Sequence, residues 1–179
     1  ANGSGPKRVL NTLGFASTDQ VWSAAALNNG RTFLYSGTSN VKITAFGDVS
    51  AVLDSPSDGT NVIRLNSLNI VSQAVAKDAA VVFTSDSDTL NLTSGALLRV
   101  GSNVGASIGY KADNGRLTAG GDSTALSPLY LFNGQGMLTL NSRIIDNPSG
   151  GKVRLVLSGT LGSTFVMQDG LNSYTGGLV

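Results

Sequence analysis

Cysteine, histidine and glutamate are all missing from this chain. The first absence removes disulfides and thiolate chemistry, the second removes the imidazole acid/base, and together they leave no zinc site of the usual type. The third means that every one of the 11 acidic residues is Asp. Asp bonds its own backbone in turns whereas Glu favours helices, so long helices are not expected. Charge is scarce as well, at 13% of residues, with 12 basic against 11 acidic for a net +1. No window gathers Lys or Arg into a stripe able to neutralise several phosphates, which argues against nucleic acid as a partner. No apolar run approaches the ~20 residues of a membrane helix. One Trp and four Tyr are thin for the aromatic girdles of a membrane barrel, so no membrane insertion of this segment is expected. Lack of Cys suits a large repetitive protein that crosses a bacterial envelope, where an early disulfide obstructs export, and the expected location is extracellular or the bacterial cell surface. The segment Ala1-Asn2-Gly3-Ser4-Gly5 has no basic stretch followed by an apolar one, so no signal peptide is read in this numbering.

What is present is a folding composition. Hydrophobic residues make up 41% of 179 residues, enough for a chain of this size to bury roughly two thirds of its unfolded surface without staples. Residues 1–60 are the least regular and read as an N-terminal irregular or capping region. A short helix is expected there from Asp19 to Leu27, capped by Ser17 or Thr18, favoured by Ala24-Ala25-Ala26 and stopped by Asn28-Asn29-Gly30; a strand carrying Val21 and Trp22 is the alternative. Either way Trp22 is read as core, and strands follow at Thr32–Tyr35 and Val41–Thr44.

From residue 61 to 179 the signal changes to alternating triplets: Ile63-Arg64-Leu65, Leu68-Asn69-Ile70, Leu90-Asn91-Leu92, Leu138-Thr139-Leu140 and Leu155-Val156-Leu157. Such alternation marks half-buried strands. Between them fall Thr93-Ser94-Gly95, Asn114-Gly115, Gly120-Gly121, Asn133-Gly134, Ser149-Gly150-Gly151, Ser158-Gly159 and Gly176-Gly177, all suited to positive φ or tight turns. A sandwich and a solenoid both fit this punctuation. The loose recurrence of triplet and corner, centred on Arg64, Asn91, Thr139 and Val156, favours a β-solenoid in which Leu, Ile and Val stack in ladders and Asn, Ser and Thr bond along the stack. The expected fold is thus an all-β parallel β-solenoid (β-helix), with the short helix as an end cap.

Near the end the chain reads Leu155-Val156-Leu157-Ser158-Gly159-Thr160-Leu161 and then Leu171-Asn172-Ser173-Tyr174-Thr175-Gly176-Gly177. This resembles the autotransporter-associated β-strand repeat, whose hallmark is a Leu-rich strand with a Ser-Gly corner followed by Asn-x-Tyr-Thr-Gly-Gly. Val82-Phe83-Thr84, Thr89–Leu98, Gly115–Gly120, Leu129–Asn133 and Gly136–Leu140 resemble, in order, the strands that lead into that hallmark, so the similarity spans about Asn61 to Gly177. Asn172, Tyr174, Thr175, Gly176 and Gly177 are the motif residues. The resemblance implies a right-handed β-helix exported to the bacterial surface with an adhesive or surface-structure role; the expected function is that of an adhesin, stalk or scaffold whose exposed Tyr, Asn and Thr contact a host or neighbouring-cell surface or glycan. It implies no catalytic residue. Leu178 stands where the family usually has Thr, one copy of the hallmark is present, and no membrane barrel is part of the chain. Because Leu178-Val179 stop where the pattern would continue, a fragment, a processed product or a subunit stacked end to end with copies of itself is expected, a filament being one form of the last.

Other β-helices act on polysaccharides, so paired carboxylates need weighing. Asp86 with Asp88, and Asp54 with Asp58, sit in Ser/Thr/Gly/Pro-rich stretches that read as turns. Neither pair has the spacing of a calcium loop, and Gly134-Gln135-Gly136 lacks the third glycine of a dinucleotide fingerprint, so no metal and no cofactor is expected. Without His, the plentiful serines lack their usual base, and the five lysines are scattered singly. Asn91-Leu92-Thr93 and Asn2-Gly3-Ser4 match the glycosylation pattern but are assigned no role.

Overall fold

Alternating side chains can close a core only if successive strands fold back on one another, and the chain does this by winding. A computed structural model describes residues 8–10, 16–20, 37–44, 51–53, 60–72, 80–101, 103–168 and 170–179. In chain order the strands are β1 (Arg8–Leu10), β2 (Ala16–Gln20), β3 (Asn40–Thr44), β4 (Ala51–Leu53), β5 (Val62–Ser72), β6 (Val81–Phe83) and β7 (Thr89–Gly101). They continue as β8 (Ala106–Ile108), β9 (Arg116–Ala119), β10 (Ser127–Asn133), β11 (Gly136–Leu140), β12 (Arg143–Ile144), β13 (Val153–Gly159) and β14 (Ser163–Met167). Among the described residues there is no helix.

Apart from the antiparallel pair β1–β2, the strand pairings are parallel, in a nine-stranded and a five-stranded sheet. The result is a parallel β-solenoid of about four turns. It has three faces. The first is formed by Val62–Leu65 of β5, Thr89–Leu92 of β7, β9 and β12. The second carries β3, the later halves of β5 and β7, then β10 and β13. The third is the five-stranded sheet β4-β6-β8-β11-β14. The same sheets extend into the first sixty residues through β3 against β5 and β4 against β6.

Every face sends alternate side chains inward, where they stack on those of the next turn. On the first face Ile63, Leu90, Leu117 and Ile144 pair in register, each 27 residues after the last, and all are buried. On the second, Leu68, Leu97 and Leu131 are also paired in register and buried, though not at that constant spacing, and so on the third are Val81, Ile108 and Leu140. Burial of such side chains contributes roughly 1.5–3 kcal/mol each relative to exposure, which is why a chain with few charges and no disulfide holds this shape.

Corners behave as their composition requires. Gly95, Gly115, Gly120, Gly121, Gly150 and Gly177 all have positive φ. Gly115 is constrained twice, because a Cβ there would also lie 2.1 Å from the ring of Phe83. The helix expected from Asp19 is corrected: Asp19 and Gln20 belong to β2, in parallel register with Lys42 and Ile43. Pairing on both sides of β2, with β1 and with β3, outweighs a local capping signal. Residues 21–27 with Trp22, and the strand expected at Thr32–Tyr35, lie outside the described residues.

Candidate functional site

The outside of the solenoid is treated differently on each face, and that difference defines the candidate site. On the first face, outward positions Arg64, Asn91 and Thr118 stand in one row. Two long corners fold back over this row. Gly121 in the corner 120–126 donates its N–H to Asn91 Oδ1 at 3.0 Å and accepts from Asn91 Nδ2 at 2.7 Å. Asp122 meets Arg64 at 2.9 Å. From the corner 145–152, Asn147 Nδ2 donates to the carbonyls of Ala119 and Gly121, while Ile145 accepts from the Thr118 hydroxyl. Asn91 is consequently buried and bound on both sides of its amide, which is incompatible with a glycan at Asn91-Leu92-Thr93.

The second face has no such cover from these corners. Its outward rows are Ala96–Tyr130–Val156 and Asn69–Leu98–Phe132–Ser158, in register across the stack. Neighbouring strands lie about 4.8 Å apart, so Tyr130, Phe132, Leu98 and Val156 form one contiguous apolar and aromatic surface. Tyr130 is 49% exposed, and Arg154, exposed on the last strand, flanks the patch beside Pro128. The strands here are legible from alternation but the patch is not, since alternation tells which residues share a face and not which face the corners leave uncovered.

Behind the patch, among the described residues, the interior is interrupted by one cation. Arg99 occupies an inward position between Ile70 and Asn133 in the ladder and is fully buried. Its guanidinium donates to Asn133 Oδ1 at 3.3 Å and to the carbonyl of Val104. Desolvation lowers its proton affinity below that of a surface arginine. Carbonyl and amide oxygens at the corner between the second and third faces thus take the place of water.

The carboxylates resolve into structural roles. Asp88 is buried and accepts the N–H of Ser85 at 2.8 Å, closing the turn 84–88, while Asp86 points outward to Lys111 at 3.8 Å. Lys111 lies 5.4 Å from the centre of the Tyr110 ring; its affinity for a proton is raised by Tyr110 first and Asp86 second. Asp54 and Asp58 lie outside the described residues. Asn114, beneath this turn, carries more than any of them. Its Oδ1 accepts from the N–H groups of Phe83 at 3.1 Å and Tyr110 at 3.3 Å, and its Nδ2 donates to the Phe83 carbonyl at 3.0 Å and to Asp86.

The motif residues Asn172 to Gly177 begin a fifth turn laid over the fourth. Asn172 Oδ1 accepts the N–H of Ile144 at 2.7 Å, so a side chain continues the first-face ladder where the strand has ended. Thr175 clasps Asp146 through its hydroxyl at 2.6 Å and its N–H at 2.9 Å. Burial would raise the Asp146 carboxyl, but the Thr175 hydroxyl and the amides of Val153 and Thr175, with Lys152 nearby, hold it below the ordinary range. Tyr174 packs on the core. Gly176 approaches so closely that a Cβ would sit 2.3 Å from the Val153 carbonyl, and Gly177 adopts a positive φ. Among the described residues no group of three or more acidic side chains is placed to hold a metal ion. No family model, curated protein or solved structure matches the chain.

Proposed function

We propose that this chain is a non-enzymatic β-solenoid of a bacterial surface protein, acting as an adhesive scaffold that presents its second face to a host cell, a neighbouring cell or a glycan. One observation carries the reading: corners 120–126 and 145–152 cover the outside of the first face, whereas on the second the exposed Tyr130 stands in register with the half-buried outward side chains Phe132, Leu98 and Val156. Contiguous exposed apolar patches on soluble folds mark contact surfaces, and aromatic rings are the side chains that contribute most at such contacts. The resemblance of Asn172–Gly177 and the preceding strands to autotransporter-associated repeats supports the surface location. Polar side chains that chemistry could use, Asp88, Asn91 and Asn114 among them, are engaged in holding turns and corners.

The test is binding of the labelled chain to a glycan array and to intact cells, compared with the double variant Tyr130→Ser, Phe132→Ser. Both side chains point outward, so the variant should keep its unfolding temperature and lose about tenfold or more in apparent affinity. Equal binding by the variant, or turnover of any arrayed polysaccharide by the parent chain, would overturn the reading.

A further inference from the structure

Among the described residues, Asn is followed by Gly at Asn114-Gly115 and at Asn133-Gly134. Such pairs are chemical weak points, because glycine has no side chain to keep its backbone nitrogen away from the Asn amide carbon. Here both amides are held. Asn114 is 1% exposed, and its amide hydrogens go to the Phe83 carbonyl at 3.0 Å and to Asp86 at 3.3 Å, while its Oδ1 accepts from Phe83 and Tyr110. Asn133 is fully buried and donates to the carbonyls of Gly136 and Thr164 at 2.9 Å each. The N–H of Gly134 rests on the Arg99 carbonyl at 2.8 Å. An amide tied on both sides does not swing its carbon onto the next nitrogen.

The two sites differ in what would surround a carboxylate formed from the amide. At position 114 an acid has no hydrogen for the Phe83 carbonyl and sets a second negative charge beside Asp86. Lys111, 3.8 Å from Asp86, is left to serve both. A buried carboxylate facing a carbonyl oxygen and a like charge is costly. At position 133 an acid faces Arg99, whose guanidinium is already directed at Oδ1 from 3.3 Å. A buried cation and a new anion there offset one another.

We propose that Asn114 is a hydrolytic deamidation site, closed while the corner 109–115 is wound and open once that corner lets go, and that its product keeps the corner from closing again. In the opened chain the Gly115 nitrogen gives up its proton to hydroxide and bonds to Asn114 Cγ. The Cγ–Nδ2 bond breaks, and Nδ2 leaves as ammonia with a proton taken back from water. Water then opens the cyclic imide. Attack at Cγ breaks the new bond and leaves aspartate; attack at the backbone carbonyl breaks the original peptide bond and leaves isoaspartate, with an extra methylene in the main chain. Either product lacks the donor that ties the corner to Phe83, 31 residues back. Local opening is thereby turned into a permanent covalent mark. The inference does not rest on the adhesive reading of the second face.

Incubating the full chain at mildly alkaline pH with and without urea, followed by site-resolved peptide mass spectrometry, tests the closure. Asn114 should deamidate about tenfold or more faster in urea, since reaction follows the population of the open form. Equal rates would overturn the proposal. Dilution out of urea tests the mark: chains modified at Asn114 should be depleted about tenfold from the refolded fraction, and an equal share in refolded and unrefolded chains would overturn it. Asn114→Asp and Asn133→Asp reproduce the aspartate products directly. The first should lower the unfolding temperature more than the second, and adding Asp86→Asn to Asn114→Asp should recover part of the loss, because an amide there donates to the new carboxylate. Where Asn114→Asp does not fold alone, that recovery is the readout. A larger loss at position 133, or no recovery from Asp86→Asn, would overturn the proposal.

Discussion

On the first face of the solenoid the turns keep step, with Ile63, Leu90, Leu117 and Ile144 separated by 27 residues each time; on the second face the partners Leu68, Leu97, Leu131 and Leu157 fall at unequal intervals. The difference shows where a parallel stack tolerates extra chain. Ladder register must be restored in each turn, since a slip of one residue would send the inward set outward. Corners carry no such requirement. Residues 109–115 and 120–126 lengthen two of them, and each corner is then tied back by an asparagine, Asn114 to Phe83 and Asn91 to Gly121.

Leu117→Ala strikes the regular face at its middle and should have the largest effect, a loss of roughly 3 kcal/mol in urea unfolding. A loss under about 1 kcal/mol would mean that in-step stacking on this face is not what holds the turns together. Asn114→Ala, at a tied corner, should follow at roughly 2 kcal/mol, because the N–H and C=O of Phe83 lose a buried partner. Asn141→Ala sharpens the contrast. Asn141 donates one bond to Gly109 while its Oδ1 has none, so its removal should cost about half as much. Asn91→Ala should cost about 1 kcal/mol and speed amide exchange in residues 120–126 but not in β9; uniform loss of protection across both would show that corner and ladder are one unit.

Smallest is the effect of pH at Asp146. Its folded-state affinity for protons is below the unfolded value, so its contribution is present above about pH 4 and is lost as pH falls through the folded-state value. The gap in unfolding temperature between the parent chain and Asp146→Asn should therefore be present at neutral pH and close on acidification. A gap that widened in acid would refute the clasp with Thr175.

Much of the solenoid was legible in the sequence, because alternation reports burial directly. The constant spacing was not. Of the triplets that carried the reading, those centred on Arg64 and Asn91 lie on the first face, Thr139 on the third and Val156 on the second. Read as one series they mix three ladders, which disguises the interval that Leu117 and Ile144 would have revealed. Asparagine misleads in a similar way, since Asn-Gly marks a turn equally well whether the side chain caps its own loop or, as at Asn114, reaches 31 residues back to Phe83. At Ser17 and Thr18 strand pairing overrode a cap signal. The second-face patch was out of reach, because its bareness depends on where corners 120–126 and 145–152 fold.

The regular spacing of the first face also sets how the molecule meets a pulling force. Turns contact only their neighbours, so tension applied at the C-terminal end opens the stack from that end, like tape lifted from a roll. Each turn that lets go frees 27 residues between one first-face position and the next, roughly 90 Å of extended chain. A tether built this way lengthens in even steps and bears load throughout, because the turns still wound are untouched by those already lost.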